Sequence, residues 1–316
     1  MNIQLGLQIE PQFSFTYPEI KRLTLKAEEI GFSNVWLSDH FFLDVNATDK
    51  TALDIWTVLS ALAVETSNIR LGSLVLCNSY RYPAVLAKMI ATLDHISEGR
   101  FDFGYGAGWK EIEYKAYGIP FPKASIRIKQ LTEGLEVLKK LWTEDKASYE
   151  GQYYSIDKAI SFPKPVQKPY PPIWVGTMKA GPKMLELIAR YADGANIAWK
   201  YTPEEVKSLK GKIDSFALQH GRKKTIRLSL GLWSGIYETV NQYETFIQER
   251  AQKLNISIDE SEKRLEGSLH GTPDFWLKQI EKYQSIGVEK LIFMFPPGKE
   301  LESMLLLQKN VLPHIK

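Results

Sequence analysis

The chain has 316 residues, of which 44% are hydrophobic and 24% charged, the balance of an ordinary globular protein. Its 40 basic residues nearly match 37 acidic ones, and the basic run at 221–227 is short and isolated, which argues against a nucleic-acid-binding surface. With neither a signal-peptide pattern nor an apolar run long enough to cross a bilayer, the sequence predicts a cytoplasmic protein without a membrane partner.

Short β-prone runs alternate with helical patterns from the N-terminus onward. The first four predicted strands are 3–9, 34–39, 68–76 and 100–108, and the helices that follow them are 17–31, 52–67, 82–99 and 126–145. The third of these helices has Pro83 near its first turn and Gly99 at its end, the usual asymmetry of helix termini. The strand interiors are apolar almost throughout, which indicates a parallel sheet buried on both faces.

The alternation breaks at 147–172, a stretch that is rich in tyrosine and proline and has no helical period. It then resumes with strands at 172–177, 195–199, 225–233 and 288–296, and helices at 181–194, 202–221, 240–267 (in two pieces), 272–287 and 299–315. Eight β-α steps favour one (β/α)8 TIM barrel over residues 1–316 rather than an open doubly wound sheet. The break is predicted to be an excursion after the strand-four helix, a hairpin with a proline-rich return near the C-terminal rim.

In such a barrel the chemistry gathers at the C-terminal ends of the strands, where Asp39 and His40 follow the second strand. The same pair could instead be a strand-end cap, with the acid satisfying backbone donors and the imidazole filling space. The five histidines lack metal-ligand spacing, so no metal is expected. Cys77, the only cysteine, has no obvious paired histidine and is interpreted as a small wall residue. The glycines of 104–108 fit either a tight turn or the close approach of a flat ligand.

Several segments carry a family resemblance when they are taken together and in order. They are GLQIEPQF, AEEIGFSNVWLSDHFF, ALAVETSNIRLGSLVLCNSYRYPAVLAKMIATLDHISEGRFDFGYGAGWKEIEYKAYGIPF, YYSI with PKPVQKPYPPIWVG, and ARYADGAN. The chain resembles the bacterial luciferase-like superfamily, most closely its coenzyme F420-dependent oxidoreductase branch. The likeness covers nearly all of residues 1–200 and the remainder more loosely.

The resemblance implies a TIM barrel that transfers a hydride between coenzyme F420, a deazaflavin, and a small organic substrate. It assigns His40 to the reaction face and Asp39 to the polar edge of the deazaflavin ring. It also implies a bulge with a non-prolyl cis peptide at Leu74-Val75 that presses on the ring. The other residues expected around the cofactor are Cys77 in the wall, Gly106 and Gly108 at the turn after the fourth strand, Glu113 on the following helix, and Gly176, Thr177 and Met178 at the cofactor's phosphate.

Two alternatives remain open from the sequence. One is an FMN-dependent monooxygenase on the same scaffold, and the other is a barrel that binds a flavin or another ligand without turnover. The resemblance also implies a homodimer or a higher homo-oligomer. Trp109 stands where sugar-phosphate-oxidising relatives carry an acid, which argues against that substrate class. The sequence does not otherwise identify the small-molecule substrate.

Overall fold

The computed structural model describes residues 3–223 and 225–315. The strands are β1 Gln4–Ile9, β2 Asn34–Leu37, β3 Arg70–Ser73, β4 Leu76–Cys77, β5 Phe101–Gly106, β6 Ala147–Glu150, β7 Ser155–Ala159, β8 Ile173–Thr177, β9 Gly194–Trp199, β10 Arg227–Ile236, β11 Leu269–Gly271 and β12 Val288–Met294. The helices are α1 Tyr17–Glu29, α2 Ile55–Glu65, α3 Pro83–Ile96, α4 Glu111–Ala116, α5 Ala124–Thr143, α6 Pro182–Tyr191, α7 Pro203–Gln219, α8 Val240–Leu254, α9 Ile258–Lys263, α10 Pro273–Ile286 and α11 Glu300–Asn310.

Eight of these strands close into a parallel barrel. Their order around the ring is β1, β2, β3, β5, β8, β9, β10 and β12, and β12 pairs with β1 to complete the circle. The short strands β4 and β11 extend the barrel beside β5 and β10. The predicted (β/α)8 barrel is therefore confirmed. No helix of the described residues combines the length and the apolar character needed to span a bilayer.

Local chemistry accounts for where several helices begin. Thr202 caps α7 by accepting a hydrogen bond from the Glu205 backbone N–H, and the Glu205 side chain accepts one from the Thr202 backbone N–H. The same reciprocal cap starts α8 at Thr239. Such a cap satisfies two of the backbone donors that every helix N-terminus leaves free. These short signals are the reason that the helix starts were readable from the sequence.

The excursion after α5 forms the predicted hairpin, in which β6 and β7 pair antiparallel. Its tip approaches the C-terminal end of the barrel, where the Tyr154 hydroxyl accepts a hydrogen bond from Asn78 Nδ2 at 3.0 Å. The return lies at the opposite end, because His95 Nε2, in the last turn of α3, is 2.8 Å from the Lys164 carbonyl oxygen. The expectation that the whole excursion lies near the C-terminal rim is therefore wrong for its return.

The inside of the barrel is packed rather than open. A lumen cluster, made of Trp36, Leu74, Trp174 and Ile292 with Val75 and Trp199 against it, fills the centre. In the same lumen Lys290 Nζ lies 2.7 Å from Asp102, and both side chains are 1% exposed. Burial opposes ionisation of Asp102, but Lys290 and Arg70 outweigh it and lower the pKa of that carboxyl to about 2. A ligand therefore has access from the C-terminal mouth and not through the barrel.

Candidate active site

Asp39 lies at the C-terminal mouth of the barrel, two residues after β2 ends, and protein donors surround its carboxylate. Arg81 approaches it with two nitrogens, at 2.8 and 3.2 Å, and the Cys77 backbone N–H donates at 2.9 Å. Burial raises the pKa of Asp39 above its usual value, and the opposing effect of Arg81 offsets this only in part. Arg81 also reaches Asp54, the N-cap of α2, at 2.8 Å. Asp39 thus fixes the loops after β2 and β4 relative to each other.

His40 is held by a buried carboxylate that lies 73 positions further along the chain. Its Nδ1 is 3.0 Å from Glu113 Oε2, on α4. The same Glu113 accepts hydrogen bonds from the Phe41 backbone at 2.8 Å, the Tyr80 hydroxyl at 2.9 Å and Lys110 Nζ at 3.2 Å. Glu113 therefore positions the segment around His40 as well as the imidazole itself.

The charge of Glu113 determines which nitrogen of His40 carries a hydrogen. Burial opposes ionisation of this carboxyl, but the His40 contact and the charge of Lys110 lower its pKa to about 2. An ionised carboxylate is acceptor-only, so Nδ1 of His40 is the donor in this pair. Nε2, on the other side of the ring, then has a lone pair when the imidazole is neutral and a hydrogen when it is protonated. His40 is arranged as a proton acceptor or donor at Nε2.

The peptide bond between Leu74 and Val75 is cis, as the resemblance implies. The Val75 side chain lies between β5 and β8, where both strands carry glycine. A Cβ at Gly106 would be 2.7 Å from a Val75 methyl group, and one at Gly176 would be 2.9 Å away. These two glycines therefore make room for Val75 rather than directly for a ligand. Val75 is half-buried above the lumen cluster and forms a floor for the barrel mouth.

Cys77 and Gly108 belong to one tightly packed wall. The Cys77 Sγ lies 3.0 Å from the Tyr114 hydroxyl, and burial raises the pKa of the thiol to about 12, so this cysteine is not a nucleophile at neutral pH. Gly108 has a φ of +74°, and a Cβ there would lie 2.7 Å from the Cys77 sulphur and clash with Tyr114. Only glycine satisfies both the backbone and the space at this turn.

The residues expected at a cofactor phosphate lie at the C-terminal end of β8, with Gly176 and Thr177 in the strand and Met178 directly after it. Thr177 is buried, and its hydroxyl accepts a hydrogen bond from the Ala180 backbone at 3.0 Å, which closes the loop. Met178 is 43% exposed, and its carbonyl accepts a hydrogen bond from the Tyr201 hydroxyl at 2.7 Å. Their role at a phosphate stays a prediction, and the Thr177 hydroxyl already has a partner within its own loop.

Sequence reasoning missed several residues at this mouth. Arg81 and Tyr80 hold Asp39 and Glu113, and they could not be recognised because their partners are 42 and 33 positions away. Lys110 is only three positions from Glu113, and this i, i+3 spacing on a helix was a local signal that could have identified it. Glu10 was also missed, although it directly follows β1 and the rule that selected Asp39 applies to it as well. Across residues 3–223 and 225–315, no group of three His, Cys, Asp or Glu side chains could hold a metal ion.

Fold and site together define a class of (β/α)8 proteins whose mouth carries a carboxylate-held imidazole above a hydrophobic floor. A family model described as luciferase-like monooxygenase matches residues 3–290, and the chain belongs to this family. The resemblance recognised in the sequence is therefore confirmed.

Several curated relatives carry the name F420-dependent glucose-6-phosphate dehydrogenase, among them proteins of Kineococcus radiotolerans and Microbacterium testaceum. The protein of Kineococcus radiotolerans is 32% identical over 195 residues, which cover 61% of this chain and 55% of that protein. The protein of Microbacterium testaceum is 27% identical, with 92% of this chain and 91% of that protein covered. A solved structure, an F420-dependent secondary alcohol dehydrogenase in complex with an F420-acetone adduct, superposes with a TM-score of 0.83 at 19% identity and 98% coverage of both chains. That likeness supports the fold.

Proposed function

We propose that this protein is an oxidoreductase that transfers a hydride between coenzyme F420 and a small organic substrate at the C-terminal mouth of the barrel. The observation that carries the proposal is the arrangement of His40, whose Nδ1 is fixed by Glu113 at 3.0 Å and whose Nε2 is left for a proton. The names of the two relatives support coenzyme F420 as the cofactor.

The residues of the mouth fit a flat ring. Val75 provides a half-buried hydrophobic floor, and it packs closely against Gly106 and Gly176 on the neighbouring strands. When bound, the deazaflavin would accept or supply the hydride. His40 Nε2 would take a proton from the reacting oxygen of the substrate, or return one to it. Asp39 would keep the loop that carries His40 against β4, and Gly176, Thr177 and Met178 would form the loop at the phosphate.

The FMN-dependent monooxygenase is the second candidate, because the family model itself describes monooxygenases. A competition titration of the purified protein with F420 and FMN decides between the two. We expect F420 to bind more tightly by at least tenfold, about 1.4 kcal/mol. Tighter binding of FMN by the same factor, together with oxygen consumption in the presence of a flavin reductase, would establish the monooxygenase. F420 binding without any absorbance change on adding reductants or substrates would indicate a non-catalytic barrel.

Trp109 bears on the substrate class. Its ring packs edge-on against His40, with 5.8 Å between the ring centroids, and the residue is 57% exposed at the mouth. An indole next to the imidazole offers a sugar phosphate no charged partner, so we propose that the substrate is not of that class. Assays of F420 reduction should give no turnover with glucose 6-phosphate under conditions in which F420 binding is demonstrated. Turnover of glucose 6-phosphate would contradict this assignment.

The oligomeric state also belongs to the proposal. Relatives of this family are expected to form homodimers or higher homo-oligomers, and light scattering on the purified chain tests this directly. A monomer at every concentration measured would refute it.

A further inference from the structure

Three buried carboxylates lie at the mouth of the barrel, and only two of them have a cationic partner. Asp39 pairs with Arg81, and Glu113 pairs with Lys110 and His40. Glu10, which directly follows β1, is 7% exposed, and none of the salt bridges among the described residues involves it. A buried carboxylate without an opposite charge is costly, so Glu10 requires an explanation.

The partners of Glu10 are neutral donors. The Gln8 side-chain amide donates at 2.8 Å, the Ser38 hydroxyl donates at 2.8 Å, and the Gln12 amide donates as well. The single hydrogen of the Ser38 hydroxyl is shared between Glu10 and Gln12 Oε1, which lies 3.0 Å from the same oxygen, so the two amides are the donors that Glu10 keeps in every arrangement. All three partners are neutral, so none of these contacts brings a positive charge to the Glu10 carboxyl group.

Gln8 provides a second, independent sign of a missing donor. This residue is 1% exposed, and its Oε1 is a buried acceptor without a hydrogen-bond partner among the described residues. The orientation of the amide is fixed, because the nitrogen must face the Glu10 carboxylate that accepts from it. The unpaired oxygen is therefore an acceptor next to an unneutralised carboxylate, and buried acceptors are rarely left unpaired in folded proteins.

An alkylammonium group would satisfy both observations, because it is positively charged and donates more than one hydrogen bond. We propose that the mouth contains a subsite for a protonated amine, in which an alkylammonium group of the substrate donates to Glu10 and to Gln8 Oε1. The subsite adjoins the reaction centre, because Ser38, which contacts Glu10, directly precedes Asp39 and His40 in the chain. The idea that this amine belongs to the substrate rests on the proposed function, whereas the binding itself does not.

Binding of a small probe tests the subsite. Propylammonium and its neutral analogue 1-propanol are titrated into the protein by calorimetry, with and without F420, and crystals are soaked with propylammonium. We expect propylammonium to bind at least tenfold more tightly than 1-propanol, with its nitrogen within hydrogen-bond distance of Glu10 and Gln8. Glu10→Gln keeps the shape of the side chain and removes its charge, so it should remove this preference. The control Glu29→Gln removes the same negative charge from an exposed position at the C-terminal end of α1, and it should keep the preference for propylammonium.

Several results would overturn the subsite. They are equal affinity for the two probes, a preference that survives in Glu10→Gln, or an ordered water at Gln8 Oε1 in place of the ammonium group in the soaked crystals. If Glu10→Gln does not fold, Gln8→Leu, which removes the unpaired acceptor, should weaken propylammonium binding instead, and unchanged binding in that variant would contradict the proposal. Failure of the hydride-transfer function would show in the F420 and FMN titrations, as weaker F420 binding or as F420 binding without an absorbance change. The ammonium titration is measured without F420 as well, so its result can be interpreted independently.

Discussion

Replacing His40 with alanine is expected to slow the F420-linked reaction by 10²–10⁴-fold, or roughly 3–5 kcal/mol of barrier. The variant should fold and should bind the cofactor nearly as well as the parent, because Glu113 keeps four further partners that hold the surrounding loop. The reduction rate, the cofactor affinity and the melting curve of the variant must be measured together. The rate should fall while the other two change little.

Asp39→Ala is the matched comparison at the neighbouring position. This change removes one of the two carboxylate partners of Arg81 and the acceptor for the Cys77 backbone, so we expect weaker cofactor binding and a lower melting point in addition to slower turnover. A His40→Ala enzyme with parental turnover and a clearly lower melting point would contradict the catalytic role. In that event the pair would be a strand-end cap, the alternative that the sequence left open.

The barrel itself was predictable because its signals are local. Apolar runs of strand length, proline near helix starts and glycine at helix ends recur along the whole chain, and each can be read within a few residues. The elements that were missed are short: α4 has six residues, and β11 has three. The third predicted strand, 68–76, is divided into β3 and β4 by the cis peptide. Segments of this length are formed by tertiary contacts, and no periodic pattern marks them.

The contacts of the mouth were less predictable, since they depend on which strands become neighbours. Asp39 and His40 were found from chain position alone, but their partners Arg81 and Glu113 are 42 and 73 positions away. Inside the barrel, Lys290 and Asp102 are 188 positions apart and meet only because the barrel closes. The space beside Gly106 and Gly176 was predicted for the cofactor, and the structure fills it with Val75.

Replacing Glu113 with glutamine is expected to lower the free energy of unfolding by about 2–3 kcal/mol at neutral pH. The pKa of Glu113 falls from an ordinary 4.5 to about 2 in the folded protein, which corresponds to roughly 3 kcal/mol before screening by solvent around its partners is considered. Glutamine keeps the shape but leaves Lys110 without its anion. The glutamine amide also allows His40 to adopt either tautomer, so turnover should fall although the proposed proton transfer is carried by His40 and not by Glu113.

The pH dependence of the stability lost in Glu113→Gln shows whether the charge or the shape of the Glu113 side chain is responsible. The folded pKa of Glu113 is below its unfolded value, so its contribution is complete above pH 4.5 and disappears as the pH falls towards 2. The gap in unfolding free energy between parent and Glu113→Gln, measured by urea titration at a series of pH values, should therefore narrow below pH 4.5. The control Glu302→Gln removes an acid that is 62% exposed and should cost less than about 1 kcal/mol. A gap that stays constant down to the lowest pH at which both proteins fold would mean that packing, and not the charge of Glu113, holds His40 in place.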